Sequence, residues 1–468
     1  MVSDEKGLPD SFDAKTGKNI KWVANLGDQS YATPIVAGGK VLIGTNNEVP
    51  RDPRHQGDRG VLMCFDEKDG RFLWQLVVPK MEDDPYLDWP KVGMASAPTV
   101  EGNRVYVLTN RGEVVCLDLD GMANGNDGPF KDEGRHMTPH GAAMIQPGPT
   151  DADIIWICDL VKEAGVHIHD QVEGSILIDG NLLYVNSCNG VDNTHRVIRS
   201  PDAPSLVVVD KRTGRIVARD NQRIGPDIFH CTWSSPSLGD VNGRRLVFFG
   251  GGNGICYAFD ALGSLPPAGQ ITDLHAVWSF DCDPAGPKRN IHGYLSNRRD
   301  GPSEILGMPV FCGGRVYLTA GGDLWWGKRR GWLKCIEASK TGDITHTGEI
   351  WSYPLGRQTC STPAVYDGLV FVADCGGVIH CVDAITGTPY WTYRADGAIW
   401  ASPMVADGKV YIGTRAGEFD VLAASKQKQI ISSVETGEPI SATVTAAKGS
   451  LFVSTMTHLY AVAKQSGG

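Results

Sequence analysis

Two stretches of this chain are written on one plan. CSTPAVYDGLVFVADCGGVIHCVDAITGTPYWTY, beginning at Cys360, and ASPMVADGKVYIGTRAGEFDVLAAS, beginning at Ala401, share an order of parts: a small-small-Pro segment, a Gly turn, an alternating apolar segment, a Gly loop and a third apolar segment. An Asp-x-x-Thr-Gly turn, Asp383 to Gly387, and a Trp-bearing segment complete the first copy. Period-two alternation between Gly-rich turns is the pattern of antiparallel strands. A four-strand unit repeated many times constrains the fold more than any other feature, because one such sheet cannot bury both faces alone. Copies stacked radially around an axis do so, as the blades of a propeller.

The plan recurs in SAPTVEGNRVYVLTNRG from Ser96, ATPIVAGGKVLIGTNN from Ala32, SILIDGNLLYVNSCNG from Ser175, SSPSLGDVNGRRLVFFGGG from Ser234 and MPVFCGGRVYLTAGG from Met308. An eighth copy is split. Residues 439–464 supply three strands, and residues 12–27, FDAKTGKNIKWVANLG, supply the missing turn and Trp strand. That join pairs the terminal edges that an open ring would expose. The expected fold is therefore all-β: one eight-bladed β-propeller of four-stranded antiparallel blades spanning 1–468. Its blades are 30–80, 92–165, 174–224, 231–284, 304–356, 358–397, 398–438 and the closing pair 12–27 with 439–464. The 57 Gly and 27 Pro suit so many turns.

The repeat also accounts for residues that would otherwise look chemical. Asp13, Asp66, Asp118, Asp210, Asp260 and Asp383 end third strands, where an Asp side chain caps a tight turn. Trp22, Trp74, Trp156, Trp278, Trp351 and Trp391 hold matching fourth-strand positions as packing residues. Cys64, Cys116, Cys335 and Cys381 are expected as buried thiols, since equivalent positions on different blades lie too far apart to bridge. Cys360 and Cys375 are left open to a bridge within one blade.

The third strand with its Asp-x-x-Thr-Gly turn and following Trp resembles the tryptophan-docking propellers of the pyrroloquinoline-quinone (PQQ) repeat superfamily, over essentially the whole chain. That superfamily includes quinoprotein alcohol dehydrogenases and the scaffold of outer-membrane protein assembly, which binds no cofactor, so the resemblance implies the fold and leaves both functions open. The enzymes hold PQQ at the mouth of the axis beside a calcium or lanthanide ion ligated by Glu, Asn and Asp, with a catalytic Asp. Carried onto this chain, the resemblance implies Glu173, Asn189, Asp192, Asp323 and Asp170 for those roles. The chain departs from the pattern in having no adjacent Cys-Cys pair and in being shorter than the large enzymes.

The residues themselves point to the same mouth. Aligning the first strands on Pro34, Pro98, Ile176, Pro236, Pro309, Pro363, Pro403 and Val444 places Asp28, Val92, Asp170, His230, Ser303, Arg357, Gly397 and Glu438 at one level of the eight lead-in loops. The stretch VHIHDQVEGS, 166–175, then brings His169, Asp170 and Gln171 to the mouth and Glu173 deeper, with His167 on the same side as His169. His195 and His292 fall on mouth-side loops as well. Three imidazoles with a carboxylate suit iron, copper or zinc. His169, Asp170, His230 and Arg357 are the catalytic candidates: a histidine as base or metal ligand, and the Arg357 fork for an anionic or carbonyl oxygen. Trp325 and Trp326 offer faces to a sugar ring or a quinone, with Gln171, Glu173, Gln358 and Trp400 alongside as cofactor contacts.

Two features fall elsewhere. The insertion 121–153 between the third and fourth strands of the second blade is expected on the opposite face. DLDGMANGNDG, from Asp118, is rich in oxygen donors like a calcium loop but lacks a closing Glu.

A formal charge of −10 provides no basic field for nucleic acid. No apolar run reaches membrane-spanning length. The N-terminus lacks the basic flank and apolar stretch of a signal peptide, which leaves a mature periplasmic or secreted protein as the expectation and the cytoplasm as the alternative. No CxxCH, Gly-x-Ser-x-Gly or P-loop pattern is present in its required context. The expected function is an oxidoreductase acting on an alcohol or carbohydrate-like small molecule, with PQQ and calcium or a His-bound transition metal. The alternative is a scaffold for a protein or peptide partner.

Overall fold

A computed structural model describes residues 1–81 and 88–465. Eight antiparallel sheets form the blades of a ring. Blade one consists of Ile35–Ala37, Lys40–Asn46, Arg59–Asp66 and Phe72–Pro79, and blades two to seven follow in chain order with the same connectivity. In blade eight, Thr445–Ala447, Ser450–Ser454 and His458–Ala463 are completed by Ile20–Asn25 from the other end of the chain, with Trp22 opposite Ala461. Every first strand begins on the residue after its alignment marker: Ile35, Thr99, Leu177, Ser237, Val310, Ala364, Met404 and Thr445. The eight lead-in loops are therefore in register.

The tryptophans do more than fill space between sheets. Each buried indole N–H donates to the carbonyl just past the third strand of the next blade: Trp22 to Glu67, Trp74 to Leu119, Trp156 to Lys211, Trp278 to Ala338, Trp351 to Ala384 and Trp391 to Ser425. In four of the six a turn glycine of the next blade lies against the ring: Gly70 on Trp22, Gly121 on Trp74, Gly214 on Trp156 and Gly387 on Trp351. A Cβ on Gly70 or Gly387, at φ +73° and +72°, would come within 2.6 Å of Trp22 or Trp351, so both backbone conformation and the close approach require Gly. Asp13, Asp66, Asp118, Asp210 and Asp383 cap their turns through backbone amides. Asp260 departs from this expectation: its carboxylate binds Arg244 and His275, because blade four replaces the short turn with a long segment, 261–275.

Blades three and four each gain a short parallel fifth strand that the repeat did not announce. Thr272–Asp273 pairs with Ile216–Arg219, and Gly342–Asp343 with Ala276–Asp281. The connection before a blade's last strand thus runs along the outer edge of the preceding blade and covers it. The insertion 121–153 does the same on a larger scale. Asp151 bridges Gln75 of blade one, while His136 reaches Glu113 at the start of the third strand and Gln146 accepts from Arg54 on a mouth-side loop. The expectation that it stays on the opposite face is corrected: backbone pairing with blade one carries it up the rim.

Cys64, Cys116, Cys335 and Cys381 are buried and free. Cys360 and Cys375 are free too, and the Cys360 thiol donates to the Trp400 carbonyl instead of closing a bridge. No helix among the described residues is long and apolar enough to cross a membrane. Residues 82–87 lie outside the described residues.

Candidate metal centre at the channel mouth

Backbone pairing between loops builds the site. The lead-in loop of blade three brings His169 and Asp170, that of blade four brings His230, and the connection 187–205 within blade three brings His195. The Gly190 amide donates to the His167 carbonyl and the Val191 amide to the His230 carbonyl, which stitches the three segments together. A Cβ on Gly190 would lie 2.8 Å from both the His169 Cβ and the His230 carbonyl oxygen, so only Gly permits this approach. Asp170 and His195 hold left-handed backbone, φ +61° and +58°, a cost that sites with fixed side-chain directions carry.

One donor atom from each of His169, Asp170, His195 and His230 lies within 4.8 Å of all the others. His169 Nε2 is 3.1 Å from His195 Nε2 and 3.2 Å from Asp170 Oδ1, and His230 Nε2 is 3.3 Å from Asp170 Oδ2. Donors about 2.0–2.1 Å from one ion in a tetrahedral shell stand roughly 3.3–3.4 Å apart. The His230 Nε2 atom is buried without an aligned hydrogen bond. On its other side, Nδ1 lies 3.1 Å from Asp323 Oδ2, and the other Asp323 oxygen accepts the Trp325 and Trp326 amides. A carboxylate behind a histidine fixes its ring direction and tautomer for metal ligation.

Burial, and next the His230 cation, push His169 down to about 3. Burial alone would lower His230 as well, but Asp323 and Asp170 on either side of its ring raise it to about 10. Glu304, whose carboxylate accepts the His230 amide, is pushed well above the usual range by burial and by Asp323. A divalent cation among the four donors would satisfy the same carboxylates as the His230 proton does.

Above the cluster opens a cavity of about 570 Å³ walled by Trp89, Trp325, Trp326, Trp400 and Tyr31, with Gln29, Asp170, Gln171, Asn193 and His195 as its polar groups. The His195 ring packs on Trp326 at 4.7 Å between centroids, and Trp325 meets Trp400 edge to face at 6.0 Å. A smaller cavity of about 230 Å³ shares Tyr31, Gln171, Trp325 and Trp400 and includes Glu173, which burial pushes up to about 7.

Other residues singled out in the sequence have different surroundings. His292 Nε2 donates to the Ile228 carbonyl oxygen and the ring stacks on Phe229, away from the cluster. The His167 amide binds Asn189 Oδ1, and the Asn189 amide group donates to Ser200, so these two hold the loop. Asp192 caps the turn at Thr194. The Arg357 side chain packs against Gly376 of its own blade, and its Nε is buried without a hydrogen-bond partner. Gln358 donates to the Leu324 carbonyl and supports the Trp325 loop from behind. Tyr31 and Trp89 in the larger cavity, and Trp233 in the smaller one, are walls that the sequence did not announce. Trp89 had a signal in its long loop, but Tyr31 and Trp233 sit in short lead-in segments that read as ordinary repeat.

A family model described as outer membrane protein assembly factor BamB, built on the PQQ-type repeat, matches residues 2–127 and 329–468. The chain belongs to this family of PQQ-repeat propellers. The unmatched stretch, 128–328, contains all four donors of the cluster and the Asp323, Trp325 and Trp326 that back it. In sequence, this PQQ-repeat propeller is 23% identical over 471 residues to the dehydrogenase subunit of the quinone alcohol dehydrogenase of Gluconobacter oxydans (strain 621H), an alignment covering 87% of the chain and 55% of that protein. The chain thus spans about half the length of that curated relative. In fold it is similar to a europium-containing methanol dehydrogenase, with a TM-score of 0.63 at 12% identity over 99% of this chain and 96% of that one. BamB from Moraxella catarrhalis gives a TM-score of 0.55 at 13% identity over 95% and 98%. At such identities the likeness shows the fold alone.

The residues do not fit the quinone and calcium pair that the dehydrogenase resemblance implies. PQQ is a tricarboxylate, and no Lys or Arg lines the mouth cavity among the described residues. Arg415, over the rings of both Trp400 and Tyr31 in the cavity wall, is held by Ser441. Of the oxygen donors implied for calcium, Asn189 donates to Ser200, Asp192 caps the turn at Thr194 and Asp323 backs His230, each engaged separately. The donors that converge are three imidazoles and one carboxylate, a set for a borderline transition metal.

Proposed function

We propose that this PQQ-repeat propeller is a metal-dependent enzyme acting on a neutral, hydroxyl-bearing ring such as a sugar or a cyclic alcohol, with His169, Asp170, His195 and His230 as ligands of one transition-metal ion. The observation that carries the reading is the convergence of four donors at ligand spacing beneath an aromatic cavity without cationic lining. Trp325, Trp326, Trp400 and Trp89 would stack on the ring faces, since indole surfaces take apolar sugar faces well. Gln171 and Asn193 would receive its hydroxyls. A bound ion would supply Lewis-acid activation of a substrate oxygen. Asp323 would hold the His230 ring in its ligating direction, and the indole walls would exclude water. Oxidation of an alcohol to its carbonyl, with the two electrons and two protons passing to an external acceptor such as a quinone, is the reaction class favoured by the name of the Gluconobacter relative.

The second reading, a scaffold for an outer-membrane protein or peptide partner, is favoured by the description of the matching family. That description also supports a periplasmic or secreted location, where nine buried thiols would be shielded from oxidation. Metal analysis of protein purified without chelator tests the main reading. About one zinc, copper, iron or manganese per chain, lost in His195→Ala together with turnover of an alcohol or sugar panel, is the expected result. A metal-free protein whose His195→Ala variant still binds its partners would favour the scaffold.

A further inference from the structure

The insertion in blade two carries a second group of acids, remote from the mouth cluster. Asp118 ends the third strand at the face opposite the mouth, Asp127 and Glu133 lie in the insertion, and Asp153 precedes the fourth strand. One oxygen each from Asp118, Asp127 and Asp153 lie within 4.8 Å of one another. Asp118 is compensated by Arg104 at 2.5 Å. The other buried acids are not. Asp153 is 0% exposed; its Oδ2 accepts the Asp127 amide, and its Oδ1 has no hydrogen-bond partner. Glu133, 1% exposed, accepts from Asn126 through Oε2, and its Oε1 also has no partner.

Two unpartnered carboxylate oxygens, buried beside two further acids, require either protons or a cation. A protonated Asp153 would need an acceptor for its O–H, and Oδ1 has none. A cation answers the charge and the unused lone pairs together. All the donors are carboxylate oxygens, which selects a hard ion over the borderline metals that imidazoles take.

We propose that Asp118, Asp127 and Asp153, with Glu133 as a further oxygen donor, bind one calcium ion that fastens the insertion 121–153 to blade two. The insertion has only two short helical turns, Gly121–Asn124 and Glu133–His136, so an ion at its base supplies order that its own backbone does not.

The test is calorimetric titration of calcium chloride into the chelator-treated full chain, with thermal unfolding alongside. One calcium ion per chain and a rise in Tm of about 3 °C or more at saturation are expected. Asp127→Asn, at an exposed position, should weaken binding by roughly tenfold or more and remove the Tm shift. Asp153→Asn should do the same, and if it fails to fold, Asp127→Asn decides alone. His195→Ala, which disables only the mouth cluster, should leave calcium binding intact. No heat and no Tm shift up to about 5 mM calcium would overturn the proposal. So would unchanged binding in Asp127→Asn, or loss of calcium binding in His195→Ala.

Discussion

Blade six passes from its second to its third strand in residues 374–377, whereas blade three uses 187–205 and blade five 322–330 for the same connection. Both kinds of blade use an Asp there. In blade six, Asp374 accepts the Gly376 and Val378 amides and lies 3.5 Å from His380 of the same blade. In blade five, Asp323 accepts the Trp325 and Trp326 amides in the same manner, but its other oxygen faces His230 of blade four. One turn chemistry thus serves two ends. Where the connection is short the Asp–His pair closes on its own blade, and where it is long the Asp reaches a neighbour's histidine beneath a wall of tryptophans. The plain blades hold the ring, and the elaborated ones use its rigidity to aim side chains.

The sharpest way to break this comparison is to remove a histidine from each half. His195→Ala should lower the bound transition metal from about one ion per chain to under roughly a tenth, by elemental analysis, and His380→Ala should leave it unchanged. Equal metal loss in both would dissolve the distinction.

The docked tryptophans should behave alike in both halves. Trp74→Ala and Trp391→Ala are each expected to cost about 3–5 kcal/mol in denaturant unfolding, since each removes a buried ring and a hydrogen bond to the next blade. A large difference between them would show that the elaborated half carries its own stability.

A smaller effect separates the two Asp residues. Asp323→Asn should weaken metal binding by roughly 10–100-fold, as loss of a carboxylate behind a ligating histidine does, while Asp374→Asn should only lower Tm. Restored metal affinity in Asp323→Glu would mark a positioning role.

The smallest effect is a pH dependence in the plain half. Burial, and then Glu418, push Asp420 of blade seven up to about 7. Its folded-state value lies above its unfolded one, so the wild type loses stability as pH rises from about 4 towards 7. Asp420→Asn should therefore gain Tm over the wild type progressively across that window and level off above it. A flat difference would place Asp420 outside the titration. This raised carboxyl in a plain blade shows that a displaced pKa marks a functional group only with geometry around it.

The strand register was legible to the residue, because the alternation recurs in all eight copies and the Pro marker in six of them, and errors in one copy are corrected by the others. Closure was legible too, since Trp22 and its turn had no other blade to complete. The site was legible only in part. His169, Asp170 and His230 meet because they occupy lead-in loops of adjacent blades. Arg357 shares their level in the alignment but belongs to blade six, where its side chain packs on Gly376. Register in a ring gives height along the axis and says nothing of direction across it.

By itself the sequence determined the number of blades, their order, the seam between the two chain ends and the height at which polar groups would gather. Those are consequences of local periodicity, which each segment carries in its own residues. The tertiary structure alone decided that Gly190 lets two lead-in loops close on each other, that Asp323 turns away from its own blade towards His230, and that the 121–153 insertion climbs the rim of blade one. Each depends on a contact between segments far apart in the chain, and such contacts are set by the shape of the space between blades, which no single repeat contains.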